Sequence, residues 1–483
     1  MLELPTTKTR AAPANDTMAA DYCATHSGRL LYERTTKMLW RYELIDEPCV
    51  QCGEMERLSK GRRRKKLTCT HRDLDRGYWI PADGHDMRGG ILQFLNGKYP
   101  DNARLSAGKV EDIFRLLPYF CDEVESFRDT HVAFTDCLLD TTGFTVAAHS
   151  PEIMASIFVR HPYAGLEGAE CPMFRSFLDD VCVDSDGKPS PAMQEQLQEI
   201  AGYLLTPVKR EVCFVLYGTG ANGKSVYMDI LREMLGPGRC HAATISQLTT
   251  QNFEVPGLVG KIANIVDEDE SVDGNLATMK RLVSNNPITT RRPYGETFTA
   301  ELNVKFVFGS NTLPRFKGFD EAIRRRFVCI PFLKKIPLEK RIFELAKKMI
   351  AAGEMPGVMA WALSGLRRLK DNGFLFTETD ESRAAVEELE NASSSVMEFV
   401  KEFYVPCDSG RVDAGELYDA YSEWCDGNGR EPVNSHRFGR EAAMKLGKSR
   451  TTTKKVNGMM RGIRYYSAKK KEAQVEPCVF DLT

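Results

Sequence analysis

Eight consecutive residues, Gly218, Thr219, Gly220, Ala221, Asn222, Gly223, Lys224 and Ser225, have the types and spacing to hold a polyphosphate. They fit G-x-x-x-x-G-K-[ST]. In that pattern glycines let backbone N–H groups turn inward around phosphate oxygens, the lysine neutralises β/γ-phosphate charge, and the hydroxyl ligates Mg²⁺. A second group of chemistry-bearing residues follows at Asp267 and Glu268, delivered at the end of the apolar run Ile262 to Val266. Asp267 is suited to hold Mg²⁺, directly or through water, and Glu268 to orient or deprotonate an attacking water. Asn311 closes a further apolar run, Val304 to Ser310, where an amide can hydrogen-bond a γ-phosphate or that water. Arg324, Arg325 and Arg326 stand directly before the run Phe327 to Ile330. Guanidinium at Arg325 or Arg326 could stabilise transition-state charge on a nucleotide held by a neighbouring subunit; surface ion pairs are the plainer alternative for such a cluster.

These residues require a particular scaffold. Val212 to Tyr217 is a short apolar run, and Val226, Ile230, Met234 and Leu235 then recur at helical spacing, so the phosphate loop joins a strand to a helix. Three more apolar runs ending in Asp267, Asn311 and Phe332 read as further strands. The fold class expected is α/β, a mostly parallel sheet with flanking helices whose ligands gather at the carboxyl ends of its strands. Between the second and third of these strands, ITTRRPYGETFTAEL reads as a hairpin. Arg291 and Arg292, with Lys280 and Arg281 on the preceding helix, place positive charge near its tip, suited to nucleic-acid phosphates, with a solvated hairpin as the alternative.

Before the loop, Leu197, Ile200, Ala201 and Leu204 repeat at three and four, the mark of a helix packing one face on a neighbour. The divisions expected are a mixed N-terminal region (1–134), a helical collar (135–205), the ATPase (206–375), a C-terminal winged helix (396–467) and a tail (468–483), with a loose first 20 residues and a polar linker at 377–395. In the N-terminal region Cys49, Cys52, Cys69 and His71 form two close pairs that could hold Zn²⁺ as a ribbon, although the second pair is tighter than usual. Asp73 and Asp75 resemble a polymerase metal pair but follow no apolar strand, so they are not read as one. Near the C-terminus, helices over 414–425 and 435–446 precede a basic hairpin through Asn457-Gly458. There Arg450, Lys454, Lys455, Arg461 and Arg464 are placed for DNA phosphates.

With 483 residues the chain has room for several domains. A formal net charge of −2 excludes a globally basic nucleic-acid coat, so DNA contact must come from local patches. Its 14 cysteines show no regular framework, no signal sequence or membrane span is evident, and a reducing cytoplasm is the expected location.

The order GTGANGKS, NIVDEDE, FVFGSN, IRRRFVCIPF within about 115 residues, with a basic hairpin before the third motif, resembles the superfamily 3 helicases. It is most similar to the primase-helicase branch of satellite phages, plasmids, poxviruses and other large DNA viruses, which carries Asn before GK, as at Asn222, and an arginine pair before a strand ending in Pro-Phe. The resemblance implies an AAA+ ATPase using ATP and Mg²⁺, a homo-hexameric ring moving on single-stranded DNA at forks, and a separate primase or polymerase as partner, since no primase dyad is found. Two other classes stay open on the residues alone. One is an ATP-switched origin-binding regulator without unwinding activity; the other is a P-loop small-molecule kinase.

Overall fold

The computed structural model describes residues 13–45, 76–82, 84–99, 106–166, 169–250, 254–268, 275–291, 297–313, 321–456 and 459–471. Its centre is a five-stranded sheet of β1 (Cys213–Tyr217), β2 (Cys240–His241), β3 (Ala263–Val266), β4 (Lys305–Ser310) and β5 (Phe327–Pro331). The spatial order is β2-β3-β4-β1-β5 and every pairing is parallel. Strands of this kind are buried on both faces, which is why they read as near-continuous apolar runs.

Alternation along β1 divides the core in two. Phe214 and Leu216 pack with α1 (Pro172–Val181), α2 (Pro191–Leu204), α3 (Lys224–Leu235) and α4 (Met355–Asp371). Cys213 and Val215 face the other way, onto a layer that includes Met279, Leu282, and Ala385 and Leu389 of α5 (Asp380–Ser393). Tyr217 lies level with Ser310, and Phe308 level with Val266, so the carboxyl ends of β1, β3 and β4 share one edge.

Several expectations are corrected. Residues 377–395 are not a linker, because α5 buries Ala385 and Leu389 against the sheet. The region expected as a helical collar from 135 begins instead with a small sheet of strands His131–Ala133, Leu138–Asp140, Val146–Ala147 and Ile157–Phe158. After β5, a turn at Leu338–Lys340 and helix Leu345–Ala351 precede α4. The loose N-terminus gives way to a helix by Asn15–Thr25, packed under a four-stranded sheet that spans residues 30–33, 38–44, 77–81 and 122–124. Cys49, Cys52, Cys69, His71, Asp73 and Asp75 lie outside the described residues.

Below the sheet, at the end opposite the phosphate loop, Lys305 donates to Thr206 O and Lys209 to Val304 O. Burial lowers Lys305 to about 8. It lowers Lys209 to about 7, with the Lys305 charge adding to the effect. Both groups hold protons less tightly folded than unfolded, so unfolding takes up protons between those values and about 10.5, and stability rises with pH across that window. Cys137 and Cys182 act in the opposite sense: burial raises each to about 12, and stability falls once unfolded thiols ionise above about 8.5 to 9. Thermal melts are expected to show the melting temperature climbing from about pH 7 to about 8.5, levelling while the two thiols offset the two lysines, and dropping above about 10.5, with Lys305→Met flattening the rise.

Candidate nucleotide site

The phosphate loop wraps the gap between β1 and α3. Gly223 takes φ 93°, and a Cβ there would come within 2.7 Å of Val181 Cγ1 and 2.8 Å of Phe177 Cε2. Only glycine meets both demands, so α1 can press against the loop from outside. Lys224 is 5% exposed; its Nζ donates to Gly218 O (2.7 Å) and Asn222 Oδ1 (3.1 Å). Desolvation pushes its amine down from the ordinary lysine value, and the nearby Glu268 carboxylate works against that shift. A cation already stripped of water and held by two weak acceptors is poised to exchange them for phosphate oxygens.

Around the loop is a cavity of about 670 Å³ lined by Gly220 to Val226, Asp267, Glu268 and Asn311. That volume is in the range of small-molecule and cofactor sites. Thus Lys224, Ser225, Asp267, Glu268 and Asn311, from three separate strand ends, meet in one pocket. Ser225, Asp267 and Glu268 present hard oxygen donors, the chemistry Mg²⁺ requires. Asp267 is not loose: Arg232 of α3 donates through Nη2 to its Oδ1 and to Ile265 O (3.2 Å), and through Nη1 to Asp229 Oδ1 (2.8 Å).

The sequence reading did not assign the remaining walls. One side is Phe177 and Met173 of α1; the other is Ile336, Ile342 and Leu345, from the segment after β5. These are apolar surfaces of the kind that take a flat base. Nor was the link between the loop and that segment read: Asn222 Nδ2 donates to Phe332 O (3.1 Å), and Ile336 N donates to Ala221 O (2.8 Å). The paired presence of Asn before GK and Pro-Phe after the arginines was the available signal.

The arginine cluster is split by the fold. Arg325 is exposed, whereas Arg324 pairs with Glu390 at 3.3 Å. Arg326 is 8% exposed and donates to Glu211 Oε2 (2.5 Å) and Ser284 Oγ (3.0 and 3.1 Å). The expectation that Arg326 could serve a neighbour's nucleotide is therefore corrected, because its guanidinium is spent inside its own chain. Arg325 is the member that a second copy could meet.

Of the residues expected on DNA, Lys280 is half-buried on the helix Leu276–Val283. Arg291 is exposed at the end of strand Ile288–Arg291, which pairs with Thr297–Ala300. Arg292, at the hairpin tip, lies outside the described residues. Far along the chain, a unit with its own apolar core joins helices Ser395–Phe403, Ala414–Gly427 and Ser435–Leu446 to strands Val412–Asp413, Arg450–Val456 and Met459–Tyr466. Arg450 and Arg464 are exposed; Arg450 stands opposite Tyr465 and Arg464 opposite Thr451, so the two arginines occupy adjacent register positions on opposite faces of the ribbon. Lys454 and Lys455 belong to strand Arg450–Val456 and Arg461 to strand Met459–Tyr466.

Comparison with known proteins bears on both ends of this arrangement. Residues 392–478 match the family described as poxvirus D5 protein-like, and residues 216–326 match a family of unknown function, DUF5906. A protein of Acanthamoeba polyphaga mimivirus, assigned provisionally as a helicase, is 25% identical over 269 residues. That match takes in 50% of this chain but 28% of the viral protein's length. Among solved structures, two apo forms of the NrS-1 C-terminal region superpose at TM-scores of 0.47 and 0.45, each 12% identical and covering 95% of this chain and all of theirs.

Proposed function

We propose that this chain, whose residues 392–478 match the poxvirus D5 protein-like family and which is 25% identical over 269 residues to a viral protein provisionally assigned as a helicase, is a D5-type primase-helicase relative acting as an ATP-dependent DNA helicase in replication of a virus or related element. The observation that carries the reading is the meeting of Lys224, Ser225, Asp267, Glu268 and Asn311 in one cavity, while Arg325 stands exposed outside it. ATP would sit with its phosphates on the loop N–H groups and Lys224, and its base between Phe177 and the Ile336–Leu345 wall. Ser225 and Asp267 would hold Mg²⁺, which supplies charge neutralisation of the β- and γ-phosphates. Glu268 would accept the proton of the attacking water, and Asn311 would fix that water or the γ-phosphate. Arg325 from the next copy in a hexameric ring would complete the pocket, so that turnover in one subunit is felt by its neighbour.

Single-stranded DNA is the proposed track, with Lys280, Arg291 and Arg292 as phosphate contacts, and the C-terminal unit is the proposed duplex contact. Doubling Arg450→Ala with Arg464→Ala is expected to weaken duplex binding evenly across sequences and to reduce the salt slope of log K by about 2, roughly one for each phosphate no longer neutralised. Titrations at several salt concentrations check this; an unchanged slope removes these two residues from the interface.

The deciding experiment is ATP-dependent strand separation on a forked duplex, with ATP turnover measured with and without single-stranded DNA. Unwinding with DNA-stimulated turnover supports the helicase. Turnover indifferent to DNA favours a small-molecule kinase, and duplex binding without separation favours an ATP-switched regulator.

A further inference from the structure

We infer that Arg232 is a positioning residue that sets the Asp267 carboxylate for its metal, an inference resting on the ATPase reading above. The guanidinium bridges two elements that must keep a fixed spacing. It grows from α3, whose first turn carries Lys224 and Ser225, and it reaches across to β3, whose end carries Asp267. One nitrogen, Nη2, is shared between Ile265 O at 3.2 Å and Asp267 Oδ1; the other, Nη1, is anchored on Asp229 Oδ1 at 2.8 Å. Asp229 is one turn earlier on the same helix, so the arginine is itself held in place by an i, i+3 pair.

This arrangement has a chemical consequence. With Oδ1 committed to Arg232, rotation of the Asp267 carboxyl is restricted and Oδ2 is the oxygen left to serve the cavity, which Asp267 lines. A planar fork suits this task better than an ammonium, because it satisfies a backbone carbonyl and two carboxylates at once. The same positive charge could act oppositely, by repelling a cation from Asp267. Orientation is argued to dominate, because Arg232 also binds Ile265 O, which fixes it to the strand rather than leaving it free to compete for the carboxylate. Partners of this kind around metal-holding groups typically change metal affinity by about 10- to 100-fold.

The test uses the full chain with Mn²⁺ as the metal probe and a non-hydrolysable ATP analogue. Analogue affinity is measured first without metal, and Mn²⁺ affinity is then read by electron paramagnetic resonance on the analogue complex. Arg232→Gln is expected to weaken Mn²⁺ binding by about tenfold or more, while metal-free analogue binding stays within about twofold of the original. Arg232→Lys, which keeps the charge and loses the fork, should fall between the two. Melting curves of both variants control for unfolding. Tighter Mn²⁺ binding in Arg232→Gln would overturn the proposal in favour of charge competition, and unchanged Mn²⁺ binding with intact analogue binding would overturn it outright. If the unaltered chain binds no analogue, the ATPase reading itself fails, which is a separate result.

Discussion

ATP hydrolysis is expected to be lost in Lys224→Ala and in Arg325→Ala, and to return in part when the two variants are mixed before assembly. The first loss follows from electrostatics: Lys224 is a desolvated cation facing the cavity, and removing it leaves phosphate charge uncompensated where water is excluded. An arginine supplied to developing phosphoryl charge is worth about 10³ to 10⁵ in rate, so the second loss should be as complete. Mixing discriminates because the defects fall on opposite sides of a shared pocket. In a ring assembled at random from equal parts, about one interface in four pairs an intact Lys224 with an intact Arg325. Recovery well above either variant alone supports shared sites, and recovery of nothing sinks them. Arg326→Ala provides the contrast: it strips buried partners from Glu211 and Ser284, so its main effect is expected in the melting temperature and not in complementation.

What could be read from residues alone follows how strongly local chemistry dictates structure. The phosphate loop, the acid-ended β3 and the amide-ended β4 were legible because each combines an apolar run of strand length with a residue type whose placement has few other uses. Arg325 and Arg326 were not separable, since neighbouring arginines before a strand point to opposite sides and only the fold says which side is solvent. Helix α5 was hidden by its composition: in DESRAAVEELENAS the buried stripe is as thin as Ser382, Ala385 and Leu389, and the acidic remainder reads as a solvated connector. The strands around residues 131–158 are two or three residues long, too short to show a period of two. The apolar wall that includes Ile336 is tied to the phosphate loop by the hydrogen bonds from Asn222 and Ile336, and pairings of such long sequence separation leave no periodic trace.

Gly365→Val is expected to lower stability by more than about 3 kcal/mol, a large share of the roughly 5 to 15 kcal/mol that holds a typical protein folded. Helices α2 and α4 cross at two glycines. A Cβ on Gly365 would lie 2.5 Å from the Gln198 carbonyl carbon, and one on Gly202 would lie 2.5 Å from Leu366 N. Both neighbours are backbone, with no flexible side-chain end to yield, so the helices themselves must separate. Separation would also pull at the polar groups that bind the pair. Glu199, 1% exposed, accepts from Arg368 Nε (2.9 Å), Thr377 N (2.7 Å) and Thr377 Oγ1 (2.8 Å), and Gln198 Nε2 donates to Trp361 O (2.8 Å). A carboxylate buried that deeply costs about 3 to 5 kcal/mol when its partner is withdrawn. The effect should reach the nucleotide, because α2 and α4 share one core with α1 and α3, on which the phosphate loop rests. Gly97→Ala is the matched control: Gly97 lies in helix Gly84–Lys98 with open space where its Cβ would go, and should be neutral or slightly stabilising. Denaturant unfolding of the two variants beside the original chain measures both effects, and a Gly365→Val midpoint as high as that of Gly97→Ala would refute the idea that backbone-to-backbone contact sets the spacing of these helices.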